Sequence, residues 1–312
     1  MKAQSSKVKV FCTTAFILTA AATLLYSLCH LLAGDGTDYF VQGHPLPLLA
    51  NILSAVSALW FASALILIPK DVLPEDDFIT ETGKPYAAAV APLIGVLAAG
   101  TITLTYYEAS DLAGVLAGTR ALDATLICAL LAMAGAILSS IYYLFRLINT
   151  PKLNNTCVVL GIGPIALLTG LCGLTYFELD HHMNAPVKIG LQLAFIASML
   201  FLICELRCSL DKSQPRRYLA FAGIALLANA CASIPALVSL IGHSDAIHSM
   251  RISGFALLCL CNCIYAACRL IQFTRFCNIA AQTASPDIFP DPEQMQGKDD
   301  QDGCQQQDSM AS

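Results

Sequence analysis

The sequence predicts an all-α integral membrane protein with eight transmembrane helices, arranged as four repeated antiparallel hairpins and followed by a disordered C-terminal tail. Three observations carry this. Of the 312 residues, 56% are hydrophobic and 12% charged, about half the charged share of a soluble domain. The charges fall in short clusters between long apolar runs. The basic residues alternate between loops in a pattern that only an even number of crossings preserves.

A helix rising about 1.5 Å per residue needs roughly 20 apolar residues to cross about 30 Å of hydrocarbon. Eight stretches meet that requirement: 10–33, 46–69, 86–107, 124–148, 156–177, 188–210, 218–242 and 252–273. The first follows Lys2, Lys7 and Lys9 of a short N-terminal segment, residues 1–9. It has the flank of a secretory signal, but its apolar stretch is too long and no small-residue cleavage site follows, so a retained span is expected. The sixth and eighth spans contain Glu205 and Arg269, which shorten their uncharged stretches. Both side chains are expected at the interface, where long charged groups reach water.

Lys and Arg are retained on the cytoplasmic side during insertion. With the N-terminus inside, Lys2, Lys7, Lys9, Lys70, Lys84, Arg146, Lys152, Arg207, Lys212, Arg216, Arg217, Arg269, Arg275 and Lys298 are cytoplasmic. Only Arg120, Lys188 and Arg251 remain outside. A missed or invented span would reverse every later loop, so the same division supports both the count and the direction. Both termini are therefore expected in the cytoplasm, with the chain in the plasma membrane.

Internal similarity suggests how the bundle is built. Leu104-Thr105-Tyr106-Tyr107-Glu108 at the end of the third span matches Leu174-Thr175-Tyr176-Phe177-Glu178 at the end of the fifth. Residues 141–148 of the fourth span and 264–271 of the eighth are identical at five of eight positions, including Tyr142 with Tyr265 and Arg146 with Arg269. A helical hairpin used four times explains both matches; convergent composition at helix ends, with aromatics at interfaces and arginine inside, is the alternative.

Helices in lipid associate through close packing, so small residues are expected to mark their contacts. Ala91, Gly95 and the run 228–233 are the candidates. Pro92, Pro164 and Pro235 interrupt odd spans and remove backbone bonds there.

No charge is expected near the bilayer centre, where the notable polar groups are amides. Asn229 and Asn262 lie near the middle of spans seven and eight, and are expected to bond across that hairpin or to face a cavity together. With Asn51 and Gln192 nearer the outer face, they form the candidate membrane-core polar site for an uncharged or weakly polar solute.

The histidines, His30, His44, His181, His182, His243 and His248, all fall at the outer face on this topology, beside Asp35, Asp38, Glu108, Asp111, Asp123, Glu178, Asp180 and Asp245. Such a surface suits divalent metal capture or a response to external pH. His181, His182, His243 and His248 are the weak metal candidates, because no ligand spacing such as His-Glu-x-x-His accompanies them. Of fourteen cysteines, none lies in an outer loop, so small apolar filler is the expected role rather than a disulfide framework.

Two polar segments remain. The loop 70–85 carries Asp71, Glu75, Asp76, Asp77 and Glu81. The region 274–312 ends in a stretch rich in proline, glutamine and acid, which cannot form a core and is expected to be a disordered cytoplasmic tail.

No phosphate loop, Gly-x-Ser-x-Gly elbow or zinc helix is present, and no cofactor is expected. Lipid is the expected partner, and nucleic acid is not. A secondary carrier or channel-like protein for a small solute is the leading expectation. The alternatives are a sensor or assembly partner with a histidine-rich outer face and, last, a membrane enzyme.

Overall fold

The computed structural model describes residues 2–34, 39–68, 84–119, 121–148, 155–177, 184–208, 214–242 and 250–283. They form α1 (Lys2–Leu32), α2 (Pro45–Leu67), α3 (Lys84–Leu116), α4 (Ala124–Ile148), α5 (Asn155–Leu160), α6 (Ile162–Phe177), α7 (Pro186–Cys208), α8 (Pro215–Gly242) and α9 (Met250–Thr283). Among the described residues there are no strands, and eight helical segments are long and apolar enough to span a membrane.

Local chemistry explains where these helices start. Proline opens α2, α7 and α8, where the missing N–H costs nothing. The Asp123 carboxylate accepts from the Leu126 N–H at 2.8 Å and caps α4, while His44 Nδ1 accepts from the Leu46 N–H at 3.3 Å and caps α2. His44 thus has a structural role in addition to its position at a helix end. Inside the helices, hydroxyls turn back on the preceding turn: Ser57, Thr101, Ser139, Thr175 and Ser233 each donate to the carbonyl four residues earlier. That leaves no bare hydroxyl at these positions against an apolar surround.

The fifth apolar stretch is two helices. α5 ends at Leu160, and α6 begins one residue beyond Gly161. Pro164 has no N–H to offer the Leu160 carbonyl, and so the break falls at the glycine between them. Pro92 and Pro235, by contrast, lie inside continuous helices. α9 continues to Thr283, ten residues past the expected end of the eighth span and into the region expected to be disordered; residues 284–312 lie outside the described residues.

The helices α3, α4, α6 and α7 pack each against the next and α9 packs on α3, while α7 and α9 meet each other only over a short stretch that closes the circuit. α8 lies against α7 and α9, while α1 and α2 pack on each other and on α8. The proximal end of the bundle, the end where α1 begins, is marked by contacts between chain-distant residues. Phe11 stacks on Trp60 with centroids 5.7 Å apart, and Arg216 Nη1 donates to the Leu65 carbonyl at 3.2 Å. Cys268 Sγ also donates to the Pro85 carbonyl there.

Close approach is greatest between α4 and α6, where a Cβ on Gly135 would meet the Leu167 backbone, and one on Gly170 the Ala132 backbone. The expected small-residue contacts divide. Ala230 and Ser233, within the run 228–233, are buried, but Ala91 and Gly95 are exposed on α3. The glycines that admit a neighbouring backbone are on α4 and α6 instead, a partnership that composition does not reveal.

Candidate functional site

At the proximal end of the circuit three charged residues meet out of contact with solvent. Arg146 of α4 is 4% exposed, Glu205 of α7 1% and Arg269 of α9 1%. Arg146 Nη1 donates to Glu205 Oε1 at 2.9 Å, and Arg269 Nε donates to the same oxygen at 2.9 Å. Arg269 Nη2 also donates to it, while Arg269 Nη1 donates to Gln272 Oε1 at 2.9 Å.

Aromatic rings complete the cluster. The Tyr265 hydroxyl donates to Glu205 at 2.8 Å from Oε1 and 2.9 Å from Oε2, and Tyr142 Oη accepts from Arg146 at 3.0 Å. Both guanidinium carbons lie over the Tyr86 ring, Arg146 at 5.2 Å and Arg269 at 5.0 Å from its centroid. Tyr86 and Tyr143 each meet Tyr265 edge-on, at 5.9 and 5.7 Å. α3, α4, α7 and α9 all contribute, so the cluster ties together helices far apart in sequence.

The Tyr-x-x-x-Arg spacing accounts for half of this geometry. Residues four apart share a helix face, so Tyr142 with Arg146 and Tyr265 with Arg269 each present a hydroxyl and a guanidinium on one side. The two matching octapeptides therefore deliver an arginine each to one carboxylate, while their tyrosines differ: Tyr265 bonds the carboxylate and Tyr142 bonds Arg146. Glu205 and Arg269 do not reach water as expected but are buried; each supplies the other's counter-charge, and burial becomes tolerable because ionic hydrogen bonds replace water. The lone acid in an otherwise uncharged stretch of α7 was the available signal, together with the matched arginines.

The candidate amides are dispersed. Asn229 is fully buried, and its Nδ2 donates to Ser198 Oγ on α7 and to the Ala225 carbonyl, each at 2.7 Å. Its Oδ1 and the Nδ2 of Asn262 have no hydrogen-bond partner. These two residues therefore do not bond across the α8–α9 hairpin, and the inter-helix partner of Asn229 is Ser198 on α7. Gln192 is half-buried on α7, and Asn51 is exposed on α2.

Asn51 belongs to a second feature, a groove of 640 Å³ bounded by α1, α2, α7 and α8. Tyr26 donates its hydroxyl to Asn51 Oδ1 at its distal end, where His30 and Asn184 also line it.

No family model, curated protein or solved structure matches this chain.

The metal candidates His181, His182, His243 and His248 lie outside the described residues. Among the described residues no group of three or more metal-ligating side chains converges. The cysteines that are described are free thiols, several of them buried, such as Cys12, Cys29 and Cys259, which is filler packing.

Proposed function

We propose that this chain is a secondary carrier or channel-like protein for a small solute, with its proximal gate at Arg146, Glu205 and Arg269. The observation that carries this reading is the burial of three ionised groups from three helices at one end of the α3–α4–α6–α7–α9 circuit. Ionisable groups within membrane-spanning segments are costly and commonly mark pathways. Apolar packing of similar volume holds helices at least as firmly as a buried ion pair, so mere cohesion gives little reason for charge. A contact made of a few directional bonds, which can part as a unit and be rehydrated, suits an element with two arrangements.

The same reading takes the proximal end as cytoplasmic, in accord with the fourteen basic residues assigned there against three outside, and the protein as resident in the plasma membrane. It also takes the chain as four similar hairpins, a relationship supported for the second and fourth by the convergence of Arg146 and Arg269, at matching positions of α4 and α9, on one carboxylate. The sensor alternative draws on the outer histidines and the tail, of which only His30, His44 and residues 274–283 are among the described residues.

Hydrogen–deuterium exchange of the protein in lipid nanodiscs tests the gate whatever the solute is. The proximal ends of α4, α7 and α9 are expected to exchange as two populations, with the open one enlarged by Glu205→Gln. A single protected population at those ends, unchanged in a folded Glu205→Gln variant, overturns the reading.

A further inference from the structure

The distal groove lies outside the circuit and is not explained by the gate. α2 and α7 both pack closely on α8 but make no comparable contact with one another, which leaves a slot floored by α8. Its walls are apolar, formed by Leu193, Ile196 and Leu200 of α7 with Ile224 and Leu227 of α8. Leu193, Ile196 and Leu200 are 57%, 42% and 40% exposed, so the slot is open sideways, toward the lipid that an apolar helix of this length would meet.

The polar groups are confined to the distal end. Tyr26, His30, Asn51 and Asn184 cluster there, with Ser54 about one turn deeper on α2. Phe40 covers His30 edge-on at 5.1 Å, held by the Val41 N–H bonded to the Ala33 carbonyl at 2.8 Å. Because Tyr26 donates to Asn51 Oδ1, the Asn51 amide nitrogen is left as a donor at the mouth. No Lys, Arg, Asp or Glu lines the slot among the described residues.

From this gradient we infer that the groove binds an uncharged single-chain lipid, with a hydroxyl or ester head at Tyr26 and Asn51 and its tail between α2 and α7. A volume of 640 Å³ lies in the range of about 300–1,000 Å³ for sites that enclose a whole small molecule. A phosphate or ammonium head would be brought against amides and rings with no counter-charge among the described residues, whereas a hydroxyl or ester is matched by donors and acceptors of its own kind. A helix from a second copy would cover the apolar walls but leave the polar end unused.

Photolabelling of the full chain in nanodiscs, with a monoolein analogue carrying a diazirine on its tail, tests this. Labelling is expected on peptides from α2 and α7, with competition by monoolein and much weaker competition by oleate or oleoyl-lysophosphatidylcholine. Ala228→Phe, which places a ring on the floor, is expected to abolish labelling. Asn51→Leu at the exposed rim is expected to weaken it about fivefold, the worth of one hydrogen bond. Equal competition by either charged lipid, full labelling of a monodisperse Ala228→Phe protein, or cross-links between two copies in place of lipid adducts overturns the inference. If Ala228→Phe does not fold, Asn51→Leu decides, and unchanged affinity there overturns it. Lipid capture without two-population exchange at the proximal end would sink the carrier reading alone; such exchange without lipid capture would sink only this one.

Discussion

Arg146 and Arg269 donate to the same oxygen, Glu205 Oε1, from α4 and α9, each with a bond of 2.9 Å. One carboxylate therefore neutralises charge from two helices that carry the same Tyr-x-x-x-Arg spacing. Removal of the acid should be worse than removal of the whole set. Glu205→Ala leaves two buried guanidinium groups without their shared acceptor and is expected to cost about 3–5 kcal/mol. A triple replacement of Arg146, Glu205 and Arg269 by Met is expected to recover most of that loss, because nothing charged is left to desolvate. Reversible unfolding in mixed detergent measures both, and a triple variant no more stable than Glu205→Ala would contradict the account.

The tyrosines in the cluster differ in what they supply. Tyr265 donates to both Glu205 oxygens, so Tyr265→Phe keeps the ring packing and loses a bond to a charged group, for an expected cost of about 1.5–3 kcal/mol. Tyr86 supplies a π face to both arginines. Tyr86→Phe should therefore be nearly neutral, and Tyr86→Leu should cost about 2 kcal/mol if the cations are fully desolvated. Unfolding midpoints of the three variants rank these effects; equal losses in Tyr86→Phe and Tyr86→Leu would show that the hydroxyl, not the face, matters.

Glycine substitutions separate contact from propensity. Gly135→Val and Gly170→Val would each drive a side chain into the backbone of the facing helix, and are expected to lower the unfolding temperature sharply or prevent folding. Gly95 and Gly100 have nothing within reach of an added Cβ, so Gly95→Ala and Gly100→Ala are expected to be tolerated, with a gain of up to about 1 kcal/mol from helix propensity. Thermal unfolding followed by circular dichroism distinguishes the pairs. A destabilised Gly95→Ala would mean that α3 has a neighbour on that face.

Ser198 isolates the buried amide. Ser198→Ala removes the inter-helix acceptor of Asn229 and leaves only the Ala225 carbonyl for its Nδ2. Bonds of this kind between membrane helices average about 0.6 kcal/mol, so the expected loss is modest and should be absent in an Asn229→Leu background. A double-mutant cycle reads the coupling; additive effects would show that the bond contributes nothing.

The eight apolar spans were legible in the chain because bilayer thickness and helix rise together set a length that no other element satisfies. Residue counts and the placement of charge are one-dimensional quantities, and they predicted eight segments where eight long apolar helices stand. The Tyr142–Arg146 and Tyr265–Arg269 match was visible for the same reason, as spacing along a helix. What could not be read was which helices face each other. Glu205 and Arg269 looked suited to an aqueous rim because each, taken alone, is too costly to bury; only their convergence with Arg146 makes burial tolerable. Asn229 and Asn262 looked like partners because they sit at similar depth on consecutive helices, yet α7 brings Ser198 to Asn229. The amino-acid sequence thus determined how often the chain is apolar enough to cross and which residues share each helix face, through period and length. The pairing of those faces, and with it the ion cluster and the open slot between α2 and α7, was decided by tertiary packing, because hydrogen bonds, ion pairs and close backbone approach depend on distances between residues that the order along the chain leaves free.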